Sequence, residues 1–353
     1  MSKVIVGLSG GVDSAVTAYL MRAAGCDVIG VTLKTWLNSE GEVSLCCEID
    51  DARKVCYKLD IPYYAVNCAA QFRSSVVEPF TDEYIHGMTP NPCIECNRSV
   101  KWDKLIEFAD SMGAEYVATG HYAKVVRLEN GRYTVKNSVT AAKDQTYMLY
   151  RLNQQQLART LMPLGALSKD EVRKIAASAG LPVANKPDSQ EICFVASGSY
   201  ADYIEQNSES YVPREGNFVD ENGSVLGRHK GIIHYTVGQR KGLGLAMGHP
   251  VFVKSINAET NEVVICDDAA LYSDEIFCDR LNFLSIPDIE MGERVSAAVR
   301  IRYHHAGEQA MLERIGEDTL KVCFQKPVRA AAPGQSAVFY DADGCVIGGG
   351  RII

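Results

Sequence analysis

Hydrophobic and polar positions follow two rhythms over the first part of the chain. Residues 3–8 form a short β-branched run, residues 14–24 carry apolar side chains at helical spacing, and residues 27–33 are strand-like again. This is a βαβ opening. Further units follow: a helix over about 50–59, a strand at 63–66, helices near 72–85 and 100–112, and a strand at 116–119. Repeated crossovers of this kind predict an α/β domain, a doubly wound parallel sheet with helices on both faces. Ligands of that class bind outside the carboxyl ends of the strands. After about Gly198 the period falls to two, with short runs at 216–220, 251–256 and 263–266 and a turn at Asn222-Gly223. From about Leu271, strand-like runs at 295–303, 319–324, 337–340 and 346–347 predict a closed antiparallel β-barrel. The expected units are therefore 1–198, a small mainly β unit at 199–270, and the barrel at 271–353.

Composition narrows the class. With 46% hydrophobic, 23% charged and 8% aromatic residues, the chain is an ordinary globular protein rather than a disordered or fibrous one. No apolar run approaches the roughly 18–20 residues of a membrane span. Met1-Ser2-Lys3 leads straight into a strand and a Gly-rich turn, without the apolar core of a signal peptide. The expectation is a cytoplasmic protein that does not cross a membrane. The twelve cysteines lack the regular spacing of a disulfide scaffold, so most are expected as reduced thiols.

The net charge of −8 argues against a generic basic nucleic-acid binder, but the charge is uneven. Residues 222–258 contain no Asp or Glu, while Arg228, Lys230, Arg240, Lys241 and Lys254 give five positive charges, beside His229, His234 and His249. Such a stripe is either a surface for a polyanion or a solvated loop region with a chance bias of sign.

Gly7-Leu8-Ser9-Gly10-Gly11-Val12-Asp13-Ser14 follows the first strand and opens the first helix. A glycine pair lets backbone N–H groups approach an anion, and the helix N-terminus adds a favourable dipole. The stretch reads as a phosphate cradle. It is not a Walker loop, because Asp13-Ser14 stands where Lys-Ser is required, and Gly-x-Gly-x-x-Gly is absent. A second constellation, Thr89-Pro90-Asn91-Pro92-Cys93-Ile94-Glu95-Cys96-Asn97, is a proline-stiffened loop that leads into a helix expected to begin near Asn97. That start would put Cys96 at a helix N-terminus, where the dipole favours thiolate. A third cysteine, Cys193, follows Pro187-Asp188-Ser189-Gln190-Glu191-Ile192. Taken alone, Cys93-x-x-Cys96 could be a zinc half-site, but the only other close pair is the adjacent Cys46-Cys47. Cys193 by itself reads better as a buried, inert thiol.

Ser9-Gly10-Gly11-Val12-Asp13-Ser14 at a strand-to-helix junction resembles the pyrophosphate loop of the N-type ATP pyrophosphatases, which cleave ATP between its α and β phosphates. The resemblance then becomes specific. This loop, Thr89 to Asn97, Ala118-Thr119-Gly120-His121-Tyr122, Lys143-Asp144-Gln145, Asp188 to Phe194, Gly238 to Gly244 and Pro333 to Val338 are similar, in that order, to the bacterial tRNA-specific 2-thiouridylase family. The similarity covers essentially the whole chain and implies an adenine nucleotide α-hydrolase-like first domain. It implies ATP-dependent adenylation of O2 of the wobble uridine in tRNAs for Lys, Glu and Gln, then replacement of the oxygen by sulfur from a cysteine persulfide. Gly7, Leu8, Ser9, Gly10, Gly11, Val12, Asp13 and Ser14 would bind the ATP phosphates with Mg2+, and Leu33 and Gly120 the nucleotide. Asp13 is also counted with the catalytic residues. Cys193 would carry the persulfide, and Cys96 would be the nucleophile that helps release sulfur and can close a disulfide with it. Asn91, Pro92 and Cys93, with Lys143, Asp144 and Gln145, would surround the target base, which must leave the anticodon stack. His121, Arg302, Tyr303 and Gln335 would touch the tRNA, Arg on phosphate and Tyr by stacking. The implied partners are tRNA and a persulfide-donating sulfur carrier or cysteine desulfurase.

Some members of the family have Asp at the position of Cys93, and a thiol cannot do a carboxylate's work there. Two schemes follow. In one, Cys96 and Cys193 transfer sulfur alone and Cys93 is a wall of the base pocket. In the other, Cys93, Cys96 and Cys193 are ligands of an iron–sulfur cluster such as [4Fe-4S]. An adenylating ligase acting on a small molecule would share the loop but leave the cysteines, the acid-free stretch and the barrel without a role. A redox or metal module on Cys93-x-x-Cys96 would leave ATP without one.

Overall fold

The computed structural model describes residues 1–35, 49–187, 192–195, 198–208 and 211–353. Strand Lys3–Gly7 buries Val4, Ile5 and Val6 completely. Burial on both faces is the mark of a central parallel strand, and it explains the unbroken β-branched run. The strand pairs in parallel with Asp27–Lys34 on one side and Tyr116–Ala118 on the other. Tyr63–Asn67 extends the sheet beyond the first neighbour and Thr160–Leu161 beyond the second. The connections out of Lys3–Gly7 and Tyr116–Ala118 therefore run to opposite sides of the sheet. The crevice between their carboxyl ends is the topological switch point where such folds bind ligands.

Two helices differ from the sequence expectation. The helix expected near 72–85 begins at Ala69 and runs to Ile85 through a π-wound stretch, Arg73–Val77. The helix expected from Asn97 begins at Pro92 and runs to Ser111 through a π-wound stretch, Asn97–Trp102. Asn91 is its N-cap, its side chain accepting from Cys93 N at 3.2 Å, and Pro92 occupies the first position, where its fixed φ and missing N–H cost nothing. Cys96 is thus not at the helix start. It closes the first turn, and Cys93 takes the place nearest the positive end.

A hairpin, Ala123–Arg127 with Tyr133–Asn137, leaves the parallel sheet and reaches the barrel. Thr134 Oγ1 donates to Val346 O, and the Arg132 guanidinium donates to Leu284 O at 2.8 Å and Phe283 O at 3.0 Å. The four-stranded sheet that follows is mixed: Glu262–Cys266 lies parallel to Gly216–Val219, while Phe252–Asn257 and Val225–His229 pair antiparallel at its edges. The last strands close the expected barrel in the order Tyr272–Phe283, Thr319–Arg329, Glu308–Gly316, Arg294–Arg300, Ser336–Tyr340 and Val346–Ile352. Inward positions such as Val299, Leu312, Val322 and Phe339 are fully buried, as period-two patterning requires. Among the described residues no helix is long and apolar enough to cross a membrane.

Candidate functional site

The Gly-rich loop lies at the switch point. Gly10 adopts φ +75°, a left-handed turn that glycine makes without steric cost, and Gly11 caps the helix Val12–Ala23. Ser14 Oγ donates to Gly11 O at 3.1 Å and accepts from Ser9 N at 3.2 Å, closing the loop into a ring over the helix N-terminus. From the neighbouring strand, Gly120 reaches this ring so closely that a Cβ would stand 2.8 Å from Ser14 N and 2.9 Å from Asp13 C. Only glycine fits there. Leu33, at the end of the next strand, is 9% exposed. The loop residues and Gly120 therefore form one surface, with Leu33 at the end of the strand alongside.

Asp13 is held from two directions. Tyr122 Oη donates to its Oδ1 at 2.8 Å, and Lys169 Nζ stands 2.7 and 2.8 Å from its two oxygens. Lys169 opens the helix Lys169–Ser178, which starts with a Ser168–Glu171 capping box and packs on Val12–Ala23. Lys186 bridges Gly10 O at 3.2 Å and Asp51 Oδ2 at 2.8 Å. Neither lysine was singled out from the sequence. Each lies more than 150 residues from the loop along the chain.

The thiols sit on elements that share one core. Phe194 is buried and meets Phe72, Phe80 and Tyr203 edge-on, with ring centroids at 5.7, 5.2 and 5.3 Å. This anchors the turn Ile192–Val195, closed by Val195 N donating to Ile192 O, and seats Cys193 half-buried at the margin of the core. The π-wound stretch Arg73–Val77, between those two phenylalanines, packs against Pro92–Cys96, and Cys96 is buried in the same cluster. Glu95 pins that helix through ion pairs to Arg151 and, at 3.9 Å, to Arg98. Cys93 is exposed. No disulfide joins Cys96 to Cys193. Among the described residues no three His, Cys, Asp or Glu side chains gather into a cation site, those of Cys93, Cys96 and Cys193 included. Cys46-Cys47 and Asp188 to Glu191 lie outside the described residues.

The side chains expected around the base and the tRNA are largely engaged with protein. Asp144, its side chain 2% exposed, accepts from Ser138 N at 2.7 Å, Thr146 N at 3.2 Å, Thr146 Oγ1 and Arg300 Nη1 at 3.3 Å. Gln145 Oε1 accepts from Tyr122 N at 2.9 Å. Gln335 Nε2 donates to Thr89 O at 2.7 Å and Thr89 N to Pro333 O, so the barrel buttresses the loop that leads to Asn91. Arg302 donates to Val237 O at 3.1 Å and to Ala330 O, and burial beside Arg329 pushes its guanidinium below the usual value. Tyr303 is half-buried, edge-on to Tyr147, with Cys93 and Lys143 among the groups near its hydroxyl. His121 Nδ1 lies 2.9 Å from Thr119 Oγ1, and its ring tilts on Trp102 at 5.4 Å. Burial, with the Lys101 ammonium, pushes its imidazole down to about 3, so the ring is neutral at neutral pH. In the acid-free stretch, Arg228 pairs with Glu215 at 3.7 Å, Lys254 with Glu221, and His249 with Asp267 at 3.1 Å, all acids from outside its bounds. Arg240 and Lys241 stand exposed on its loop.

Comparison with known proteins fits this geometry to a family. Residues 2–197 match the family described as tRNA methyl transferase HUP domain, 202–267 the matching PRC-barrel domain, and 273–352 the aminomethyltransferase beta-barrel domain. The tRNA-specific 2-thiouridylase MnmA of Lachnoclostridium phytofermentans is 51% identical over 100% of this chain and 100% of its own. The chain belongs to the tRNA-specific 2-thiouridylase family. The 2-thiouridylase of Clostridioides difficile is 48% identical over 99% of this chain and 98% of its own. Among solved structures, the U34-tRNA thiolase NcsA of Methanococcus maripaludis aligns over 58% of this chain and 63% of its own, at 21% identity and TM-score 0.37.

Proposed function

We propose that this chain is a cytoplasmic tRNA-uridine 2-sulfurtransferase that binds ATP with Mg2+ at Gly7–Ser14, Leu33 and Gly120. It adenylates O2 of the wobble uridine of tRNAs of the Lys, Glu and Gln type and replaces that oxygen by sulfur, giving 2-thiouridine, AMP and pyrophosphate. Adenylation turns a poor leaving group into a good one, which a persulfide sulfur then displaces. Cys193 carries that persulfide, charged by a sulfur carrier or cysteine desulfurase, and Cys96 attacks it to release sulfur, the two closing a disulfide. Residues 1–198 hold the nucleotide, and 199–270 with 271–353 hold the tRNA.

One observation supports this reading above the others: an anion loop at the switch point shares a domain with two thiols seated on one aromatic core. Asn91, Pro92, Cys93, Lys143, Asp144, Gln145 and His121 border the base, Tyr303 stacks on it, and Arg302 and Gln335 hold the surfaces that face the RNA. The neutral ring of His121 suits it to hydrogen bonding with a base rather than to pairing with phosphate. Incubation with unmodified tRNA, ATP, magnesium and a persulfide source, followed by nucleoside mass analysis, tests the reading. 2-Thiouridine with stoichiometric AMP is expected. An unmodified nucleoside and no AMP would overturn it.

A further inference from the structure

The phosphate loop Gly7–Ser14 carries one charged side chain, Asp13, and its sign is wrong for a polyanion. A Walker loop supplies its own lysine at the corresponding place. Backbone N–H groups and a helix dipole alone would leave an acid facing a triphosphate. Two ammonium groups from one later segment meet this need. Lys169 Nζ lies 2.7 and 2.8 Å from the Asp13 oxygens, and Lys186 Nζ lies 3.2 Å from Gly10 O, so one cation touches the loop at its turn and the other where the helix begins. Both side chains are mostly buried, 13% and 24% exposed. Burial also pushes the Lys186 ammonium below its ordinary value.

We propose that Lys169 and Lys186 are the cations of the pyrophosphate half of the ATP site and contact its β and γ phosphates. The inference rests on the proposed function, because it takes ATP as the ligand of this loop. Lys169 then has two duties. Without nucleotide it neutralises Asp13, and with nucleotide it keeps that contact or shares it with phosphate oxygens, which are equally good acceptors for an ammonium. Lys186 ties the loop to Asp51 on the helix Ile49–Leu59 and so fixes the width of the cradle. In this arrangement AMP, which lacks the β and γ phosphates, makes no use of either cation.

Binding measurements separate this from a purely structural role. Affinities of ATP, inorganic pyrophosphate and AMP are measured by calorimetry on the full chain and on Lys169→Ala and Lys186→Ala. Each substitution is expected to weaken ATP and pyrophosphate at least about tenfold, the effect of losing a charge-assisted hydrogen bond, while AMP changes by less than about twofold. Lys169→Gln and Lys186→Gln keep length and polarity without charge and carry the same expectation if an alanine variant fails to fold. Lys186→Arg, which keeps the charge, is expected to recover most of the pyrophosphate affinity. Equal loss of ATP and AMP, or no loss of either, overturns the assignment while leaving the proposed function standing. A wild-type chain that binds neither ATP nor pyrophosphate overturns both.

Discussion

Asp144 offers a sharp separation between contact with substrate and support of the site. Its carboxylate is buried and receives two backbone N–H groups, a hydroxyl and the Arg300 guanidinium, whose plane also lies 4.4 Å over Tyr340. Asp144→Ala leaves a guanidinium only 20% exposed without its partner and removes the acceptor from Ser138 N and Thr146 N. Removing one member of a buried pair costs about 3–5 kcal/mol. Because Arg300 retains some solvent, the lower end, about 3 kcal/mol, is expected. That corresponds to a melting midpoint lower by about 4 °C in calorimetry, with the barrel and the first domain affected together. The double variant Asp144→Ala with Arg300→Met removes the stranded charge and should lose clearly less than the sum of the single losses. A midpoint equal to wild type in Asp144→Ala, or strict additivity in the double variant, would refute the view that this residue fastens the barrel to the first domain. Loss of tRNA thiolation with unchanged stability would instead return it to direct contact with the base.

Asp13→Ala should lower AMP formation by about a hundredfold or more while tRNA affinity stays nearly intact, and undiminished AMP release would count against the loop's assignment. Arg240→Ala with Lys241→Ala should weaken tRNA binding and reduce the slope of log affinity against log salt by about one to two units, because these exposed cations would release counterions on binding. An unchanged slope would place them in solvent in the complex. Cys93→Asp should keep most of the thiolation activity, since the exposed Cys93 has no sulfur to transfer in the two-thiol scheme. A dead variant together with bound iron in anaerobically prepared protein would favour the cluster scheme. For His121, the unfolded chain takes up a proton near pH 6.5 and the native ring only near 3, so its contribution to stability is complete above about pH 6.5 and is lost as pH falls towards 3. Its ring resonances should report a neutral imidazole at pH 5, and a titration near 6.5 would show the burial argument to be wrong.

The parallel sheet, the anion loop and the closed barrel were legible because each leaves a strong local mark: a β-branched run, a glycine pair after it, and a period of two between turns. The hairpin Ala123–Asn137 was missed although Asn130-Gly131 flanked by alternating positions is a hairpin signature. The start of the thiol helix was also readable, since Asn91-Pro92 is an N-cap followed by proline at the first position. Other features had no local mark. Thr160–Leu161 is two residues long and exists because Tyr116–Ala118 offers it an edge. Lys169 and Lys186 gain their meaning only when the chain returns to the loop after more than 150 residues.

Several residues that family resemblance places against tRNA direct their hydrogen bonds at protein backbone instead. Gln335 holds Thr89 O, Arg302 holds Val237 O and Ala330 O, and Gln145 holds Tyr122 N. Gln335 and Arg302 make these bonds where one folding unit meets another. A base that must be turned out of its stack needs a pocket whose walls do not yield, because a loose wall would surrender the orientation on which O2 attack depends. Polar side chains bonded to fixed carbonyls stiffen such walls without presenting an unsatisfied group to the base. The same residues can therefore be indispensable for thiolation while making few direct bonds to RNA. The distinction has a kinetic signature: loss of a contact weakens tRNA binding in proportion to activity, whereas loss of a support lowers turnover while affinity for the rest of the tRNA survives.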